Sequence, residues 1–427
     1  MAEATGLPCV AMTDRGDLAR LAVPALGCVT ATGDVWEPYQ LVDPCGAVVG
    51  SAGLFLKDLQ ASGRSLSTQR SYALALLRWF RFLWAAGVAW DQVTGAEARD
   101  FCRWIQLAAK PPWPGGRAVR QAAGGPAGTP NPVTGKPSPG LRYAGATAAH
   151  SESVLRGFYE FHREAGSGPM VNPFPLVRGR GVRAHAHRSP MEPRRAERSG
   201  LYRPRPAVRL PRRIPDEIFD ALFAGLRSNR DRALVAFWVS TGARASELLG
   251  ASRGDADPGQ QLITVIRKGS RVLQPLPASP DAFVWLRLYQ AEIDDLVPAG
   301  RDEPLWWTLR QPFRALGYHA AYRMFARVND GLGANWSPHD LRHTAAYRMA
   351  RDPGMPLSDV QWVLGHARLT TTQIYLNPVP EEVVASVVAY HSRQAAGARG
   401  ASRGADPAHT AARYRPESLR VLFGEGR

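Results

Sequence analysis

The chain has 427 residues, more than one compact core accommodates, so two domains joined by irregular segments are expected. Lysine and arginine total 53 against 37 acidic residues, a formal charge of +16 that suits a polyanionic partner, nucleic acid ahead of anionic membrane. No run of about 18 apolar residues occurs, which excludes a membrane-spanning helix. The signal from charge is tempered by composition, because 35 prolines and 41 glycines accompany the arginines, as a GC-rich genome would produce. Four cysteines (Cys9, Cys28, Cys45, Cys102) show neither CxxC nor zinc spacing and point to a reduced, cytosolic protein. "LAVPALGCV" at 21–29 ends like a lipoprotein signal, but its apolar run is short and broken by Pro24, so it is read as mature sequence.

Residues 1–48 carry weak signals and are expected to be an unassigned appendage. From 65 to 87, "SLSTQRSYALALLRWFRFLWAAG" spaces Tyr72, Leu76, Trp79, Phe80 and Leu83 by three and four, one face of an amphipathic helix. Ser67 is the expected N-cap and Gly87 the expected stop, with Arg70, Arg78 and Arg81 on the opposite face as candidates for contact with DNA. Further helices are expected at 95–108, with Phe101, Trp104 and Ile105, and at 146–166, with Val154, Phe158 and Phe161. The Pro/Gly-rich stretch 110–145 between them reads as a long loop, and 49–166 as one helical domain. Between Arg178 and Arg213 stand twelve arginines and two glutamates without an apolar period, so 167–213 reads as an extended basic linker. Of these, Arg203, Arg205, Arg209, Arg212 and Arg213 are candidates for contact with a phosphate backbone.

A second domain is expected over 214–392, with a central apolar helix in "NRDRALVAFWVSTG" and two β segments in "QLITVIRKGSRVLQPLP" around a turn at Lys268–Gly269–Ser270. Helices are expected at 280–291, 318–330, 337–350, 357–364, 370–376 and 381–392, and 393–427 reads as a flexible tail. The densest chemistry is "SPHDLRHTAAYRMA" (337–350), which puts His339, Arg342 and His343 on adjacent helical positions. A metal reading of His-x-x-x-His is weak, because the acid between them is Asp340, Arg342 would set a cation beside the metal and no third ligand follows. An anion site, guanidinium fork plus imidazole, is the stronger reading. Taken singly, Arg244 in "TGARASELLG", Lys268 at a turn tip, His366 after Gly365 and Tyr375 in "TTTQIY" each have an ordinary structural explanation as salt bridge, solvated tip, cap or packing.

Their order and spacing together do not. "TGARASELLG", "IRKGS", "PHDLRHTAAYRM" and "VQWVLGHARLTTTQIY" closely resemble the catalytic domain of the tyrosine recombinases, the phage-integrase family. That family's pattern of Arg, Lys, His-x-x-Arg, His and Tyr falls on Arg244, Lys268, His339, Arg342, His366 and Tyr375. The resemblance covers 214–392 strongly and 49–166 more loosely, as the helical core-binding domain that binds DNA. It implies a mainly α (α+β) fold, with a small antiparallel sheet in the catalytic domain and the two domains forming a C-shaped clamp on duplex DNA.

What the resemblance implies chemically follows from the residue types. Tyrosine can form a stable, reversible phosphoester, but its phenol titrates near pH 10, so attack requires a proton acceptor, for which His339 is the expected base or relay. Arg244, Arg342 and a donor from His366 are the expected clamp on the transition-state charge, and Lys268 the acid for the leaving 5′ oxygen. No metal or cofactor is expected. The expected partners are double-stranded DNA attachment or recombination sites, three further copies of the chain in a homo-tetrameric synaptic complex and an excisionase or host DNA-bending protein, with no membrane partner. The expected setting is the bacterial cytoplasm and nucleoid, and the expected event is integration or excision of a phage or other mobile element. A type IB topoisomerase-like nicking-closing enzyme and a catalytically silent DNA-binding relative are the alternatives.

Overall fold

The computed structural model describes residues 18, 21–110, 128–137, 140–177, 199–204, 212–376 and 380–401. The chain divides into two compact units, one of Met1–Arg209 with Gly333–Asn335, the other of Leu210–Leu332 with Trp336–Arg427. Cys9, Arg205, Arg209, most of the expected linker and the last residues of the expected tail lie outside the described residues.

In the first unit, strands β1 (Cys28–Ala31) and β2 (Tyr39–Val42) form an antiparallel pair with Val29 opposite Leu41. They precede helices α1 (Gly50–Ala61), α2 (Leu66–Ala86), α3 (Gly95–Leu107) and α4 (Gly145–Glu164). Residues 28–42, expected to be part of an unassigned appendage, are therefore a hairpin, and Leu41 joins the same core as the helices. Its alternation is only partly apolar, which hides a short strand from a period-based reading.

The N-cap of α2 lies two residues earlier than expected. Ser65, not Ser67, holds the extended N-cap conformation and accepts from the Thr68 N–H. Gly87 ends the helix in the left-handed region at φ +65°, as expected, and donates to the Leu83 carbonyl. Trp79 is fully buried and sits edge-on to Phe101 and Phe174, while its indole N–H donates to the Tyr159 hydroxyl at 2.9 Å. That hydroxyl donates in turn to the Trp90 carbonyl, so the polar atoms of this aromatic core are satisfied. Helix α3 begins with a Thr94–Glu97 capping box. Two described parts of the expected linker pair with each other, Val177 donating to the Ser199 carbonyl and Leu201 to that of Pro175, and Phe174 and Tyr202 pack into the core of this unit.

The second unit contains α5 (Asp216–Ala224), α6 (Asn229–Thr241), α7 (Ala245–Leu249), a sheet of β3 (Ala256–Asp257), β4 (Leu262–Ile266) and β5 (Leu273–Pro277), then α8 (Pro280–Ile293), α9 (Tyr318–Leu332), α10 (Pro338–Arg351), α11 (Leu357–Leu364), α12 (Leu369–Gln373) and α13 (Pro380–Ala401). Sheet order is β3-β4-β5, all antiparallel, with Ile263 opposite Leu276 and both buried. Helix α6 is apolar almost all round, with Leu234, Val235, Phe237 and Trp238 fully buried, as a helix packed between α8 and α10 must be. Helix α13 continues past the expected end at 392 to Ala401, so 393–401 is helical where a flexible tail was expected.

Among the described residues no helix is long and apolar enough to cross a membrane. The mainly helical architecture with a small antiparallel sheet is the expected fold class.

Candidate active site

Three helix boundaries in the second unit bring the chemistry together. Helix α6 ends on Gly242 at φ +62°, where a Cβ would lie 2.8 Å from Leu364. Two residues later Arg244 is the N-cap of α7. Helix α10 starts at Ser337, whose N–H and hydroxyl both donate to the Asp340 carboxylate. Helix α11 ends on Gly365 at φ +62°, where a Cβ would come within 3.0 Å of the Arg267 guanidinium. Only glycine fits the stops of α6 and α11, because each combines a left-handed conformation with close packing.

Arg342 is buried at 3% exposure and is the hub of the cluster. Its guanidinium donates to the Gly242 carbonyl at 2.7 Å, to the Leu364 carbonyl at 2.7 Å and to His366 Nε2 at 3.0 Å. It thus ties the ends of α6 and α11 to one ring nitrogen. Burial, with Arg244 nearby, lowers its pKa to about 10, which leaves it cationic at neutral pH. Because a guanidinium can only donate, His366 Nε2 must accept, and the ring proton is then on Nδ1, which donates to the Thr372 hydroxyl at 2.9 Å. Burial and the cations Arg342, Arg244 and Arg267 push the His366 pKa down to about 4, consistent with this neutral tautomer. The arrangement differs from the expected donor role, since Nε2 is occupied as an acceptor.

A neutral His366 sets a pH dependence. The unfolded ring titrates near 6.5 and the folded one near 4, so the unfolded state binds more protons between these values and stability falls as pH drops through them. Urea denaturation of wild type and His366→Gln at pH 4.5–7 is expected to show the wild type steeper, by at most about 1.4 kcal/mol per pH unit. Parallel curves would mean the imidazole is not held neutral.

Tyr375 lies just past α12, 4% exposed, its ring nearly parallel to His366 at 6.4 Å. Its hydroxyl meets His343 Nδ1 at 2.8 Å. Burial raises the phenol pKa, and Arg342 and Arg244 pull against that rise. The residue is both packed, in a small cluster with Ala346, Val360 and Leu364, and polar at its tip.

Glu247 organises the other flank. Its buried carboxylate accepts from the Arg244 N–H (2.9 Å) and guanidinium (2.8 Å), the Arg267 guanidinium (3.0 Å) and the Lys268 N–H (2.9 Å). Arg267, the less conspicuous neighbour of the motif residue Lys268, is buried and also donates to Gln274 and the Val363 carbonyl. Lys268 itself is exposed on the β4–β5 turn and enters this network through its backbone.

His339 is exposed on the first turn of α10, its ring edge-to-face with His343 at 4.3 Å. His343 rather than His339 reaches the Tyr375 hydroxyl, and the i, i+4 histidine pair was the signal for it. Asp340 is used by the Ser337 cap, and among the described residues no group of three or more His, Cys, Asp or Glu is placed to hold a metal ion.

The candidate DNA contacts fare unevenly. Arg70, Arg203 and Arg212 are exposed. Arg78 is turned inward, donating to Ser151 and lying over the Tyr143 ring. Arg81 donates to the carbonyls of Ala25, Leu26 and Gly27. The expected polar face of α2 is therefore covered at these two positions by α4 and by the segment before β1. Arg213 lies over the Tyr347 ring at 4.7 Å.

A buried phenol among guanidinium groups and imidazoles, at the meeting of three helix ends in an α+β domain, defines a site suited to an anionic ester. Residues 214–382 match the family model described as the phage integrase family. It is 32% identical over 183 residues to tyrosine recombinase XerC of Chromobacterium violaceum, covering 42% of this chain and 59% of that one. It is 32% identical over 165 residues to tyrosine recombinase XerD of Neisseria meningitidis serogroup B, covering 38% and 56%. The chain thus spans less than two thirds of the length of these relatives. The fold is like that of XerH site-specific recombinase bound to palindromic difH substrate (TM-score 0.50, 17% identity, 80% of this chain and 85% of that one). It is also like that of the Tn1549 transposon integrase in complex with transposon right end DNA (TM-score 0.50, 14% identity, 81% and 99%).

Proposed function

We propose that this chain is a site-specific DNA recombinase that cuts and rejoins double-stranded DNA through a 3′-phosphotyrosine on Tyr375. The observation that carries the reading is Tyr375 itself, a phenol whose pKa burial raises while Arg342 and Arg244 pull against that rise, with its hydroxyl on His343 and its ring facing His366. The phenolic oxygen attacks a backbone phosphorus and expels the 5′ oxygen. Negative charge then grows on the non-bridging oxygens, where Arg342 and Arg244 clamp it. His366, anchored on Thr372, keeps one Arg342 donor aligned. Lys268 protonates the leaving 5′ oxygen from the β4–β5 turn, and His339 stands at the exposed edge of the site. A 5′ hydroxyl from a partner strand reverses the chemistry and completes exchange.

The names of the curated relatives, tyrosine recombinases, support this reading, as does the net charge of +16. The natural substrates are attachment or recombination sites of a phage or other mobile element, acted on in the bacterial cytoplasm. An excisionase or host DNA-bending protein serves as accessory partner. Four copies act together, an arrangement supported by α13, which exposes Val383, Val384, Val387 and Val388 as an apolar face for a neighbouring copy.

The test uses a nicked suicide DNA whose cleavage releases a short strand and blocks religation. Wild type is expected to accumulate a covalent protein–DNA adduct and Tyr375→Phe none. No adduct with wild type, or an adduct with the Phe variant, would overturn the reading.

A further inference from the structure

We infer that His343 takes the proton from the Tyr375 hydroxyl as the phenol attacks, an assignment that rests on the recombinase reading of this site. His343 Nδ1 is 2.8 Å from the phenolic oxygen, the distance of a direct hydrogen bond. The other imidazole beside the tyrosine has no nitrogen for this task. His366 Nε2 accepts from Arg342, and its Nδ1 donates to Thr372. His339 packs its ring edge-to-face against His343.

The position also suits the electrostatics of the step. Burial disfavours the phenolate, and Arg342, one residue before His343, offsets part of that cost. An acceptor on the hydroxyl removes the need for a free phenolate, because the proton leaves as the bond to phosphorus forms. Tyr375 from beyond α12 and His339 from its own helix both present their rings to His343. His339 is exposed, so the ring pair reaches solvent at its far side.

The step balances. The Tyr375 oxygen–phosphorus bond forms, the phosphorus–5′-oxygen bond breaks, the phenolic proton moves to His343 Nδ1, and the 5′ oxygen takes a proton from Lys268. In the rejoining step each transfer runs backwards. The neutral His343 must carry its ring hydrogen on Nε2 for Nδ1 to accept.

The experiment compares wild type, His343→Gln and Lys268→Ala on two suicide substrates, one normal and one with sulfur replacing the bridging 5′ oxygen. Sulfur leaves without a proton, so it separates the donor to the leaving group from the acceptor at the nucleophile. On normal DNA, both variants are expected to form adduct about 10²- to 10⁴-fold more slowly. On the sulfur substrate Lys268→Ala is expected to recover and His343→Gln to stay slow. Nitrogen-15 spectra of the full-length protein, labelled at histidine, are expected to show His343 Nδ1 without hydrogen and shifted by Tyr375→Phe.

If His343→Gln cleaves at the wild-type rate, recovers on sulfur, or if Nδ1 carries hydrogen in wild type, the assignment falls while the recombinase reading stands. If wild type forms no adduct on either substrate, both fall. Should His343→Gln fail to fold, the nitrogen-15 spectrum of wild type still decides.

Discussion

Arg342→Ala is expected to lower adduct formation by about 10³-fold or more, and Arg342→Lys by about 10²-fold, when measured on suicide DNA under single-turnover conditions. The lysine variant is the informative one. It keeps a positive charge in the site, but one ammonium on a flexible stem cannot reproduce a planar fork that meets two carbonyls and a ring nitrogen at once. With the fork gone, His366 Nε2 loses the donor that fixes its tautomer, so the ring is free to protonate at higher pH. The alanine variant leaves the Gly242 and Leu364 carbonyls without their buried donor, at a cost of about 1–3 kcal/mol each. Unfolding measurements on both variants separate this loss from the chemical one. A lysine variant that cleaves at the wild-type rate would show that charge alone, not the fork, is what the site needs.

How much of this was legible beforehand depends on the kind of signal each residue leaves. The core of α2 was readable because Leu76, Trp79, Phe80 and Leu83 repeat at helical spacing. Two of its arginines, Arg78 and Arg81, have inward partners because Ala73, Ala75, Leu77 and Phe82 are buried too, so the helix is covered on more than one side. Small residues such as alanine mark a close-packed face without raising the apolar signal much.

In the second unit, Arg342 and His366 were found through motif wording, and the structure places them 3.0 Å apart. Arg267 and His343 were not assigned roles, for related reasons. Each adjoins a more conspicuous motif residue, Lys268 in one case and Arg342 in the other, and which of two neighbours points inward is a matter of strand and helix phase. On β4 the buried positions are Ile263 and Val265, and continuing that alternation makes Arg267, not Lys268, the inward residue. The phase was available in "ITVIRK" and decides the case once the strand is granted.

The second large effect is expected at Glu247, a residue with no part in the reaction. Two oxygens there accept four donors, two from Arg244 and one each from Arg267 and the Lys268 backbone. Burial acts to raise its pKa, but the Lys268 and Arg244 N–H groups and the Arg244 guanidinium together hold it below the usual carboxylate value. It therefore stays ionised and contributes stability above the unfolded carboxyl's titration range, stability that is lost as pH falls through its folded pKa. Glu247→Gln would leave Arg267, only 4% exposed, without its counter-charge. Breaking one side of a buried pair in this way costs about 3–5 kcal/mol, which urea denaturation would read directly. Cleavage should fall as well, because the N-cap of α7 and the turn carrying Lys268 lose their common anchor.

The double variant Glu247→Leu with Arg267→Met distinguishes the two losses. Removing both charges is expected to restore part of the stability, since no buried guanidinium is then left uncompensated. It is not expected to restore cleavage, because neither leucine nor methionine can hold the Arg244 N–H or the Lys268 backbone. A Gln variant as stable as wild type would show that the carboxylate's charge is dispensable. A double variant that cleaves normally would show that Arg244 and the turn find their places without it.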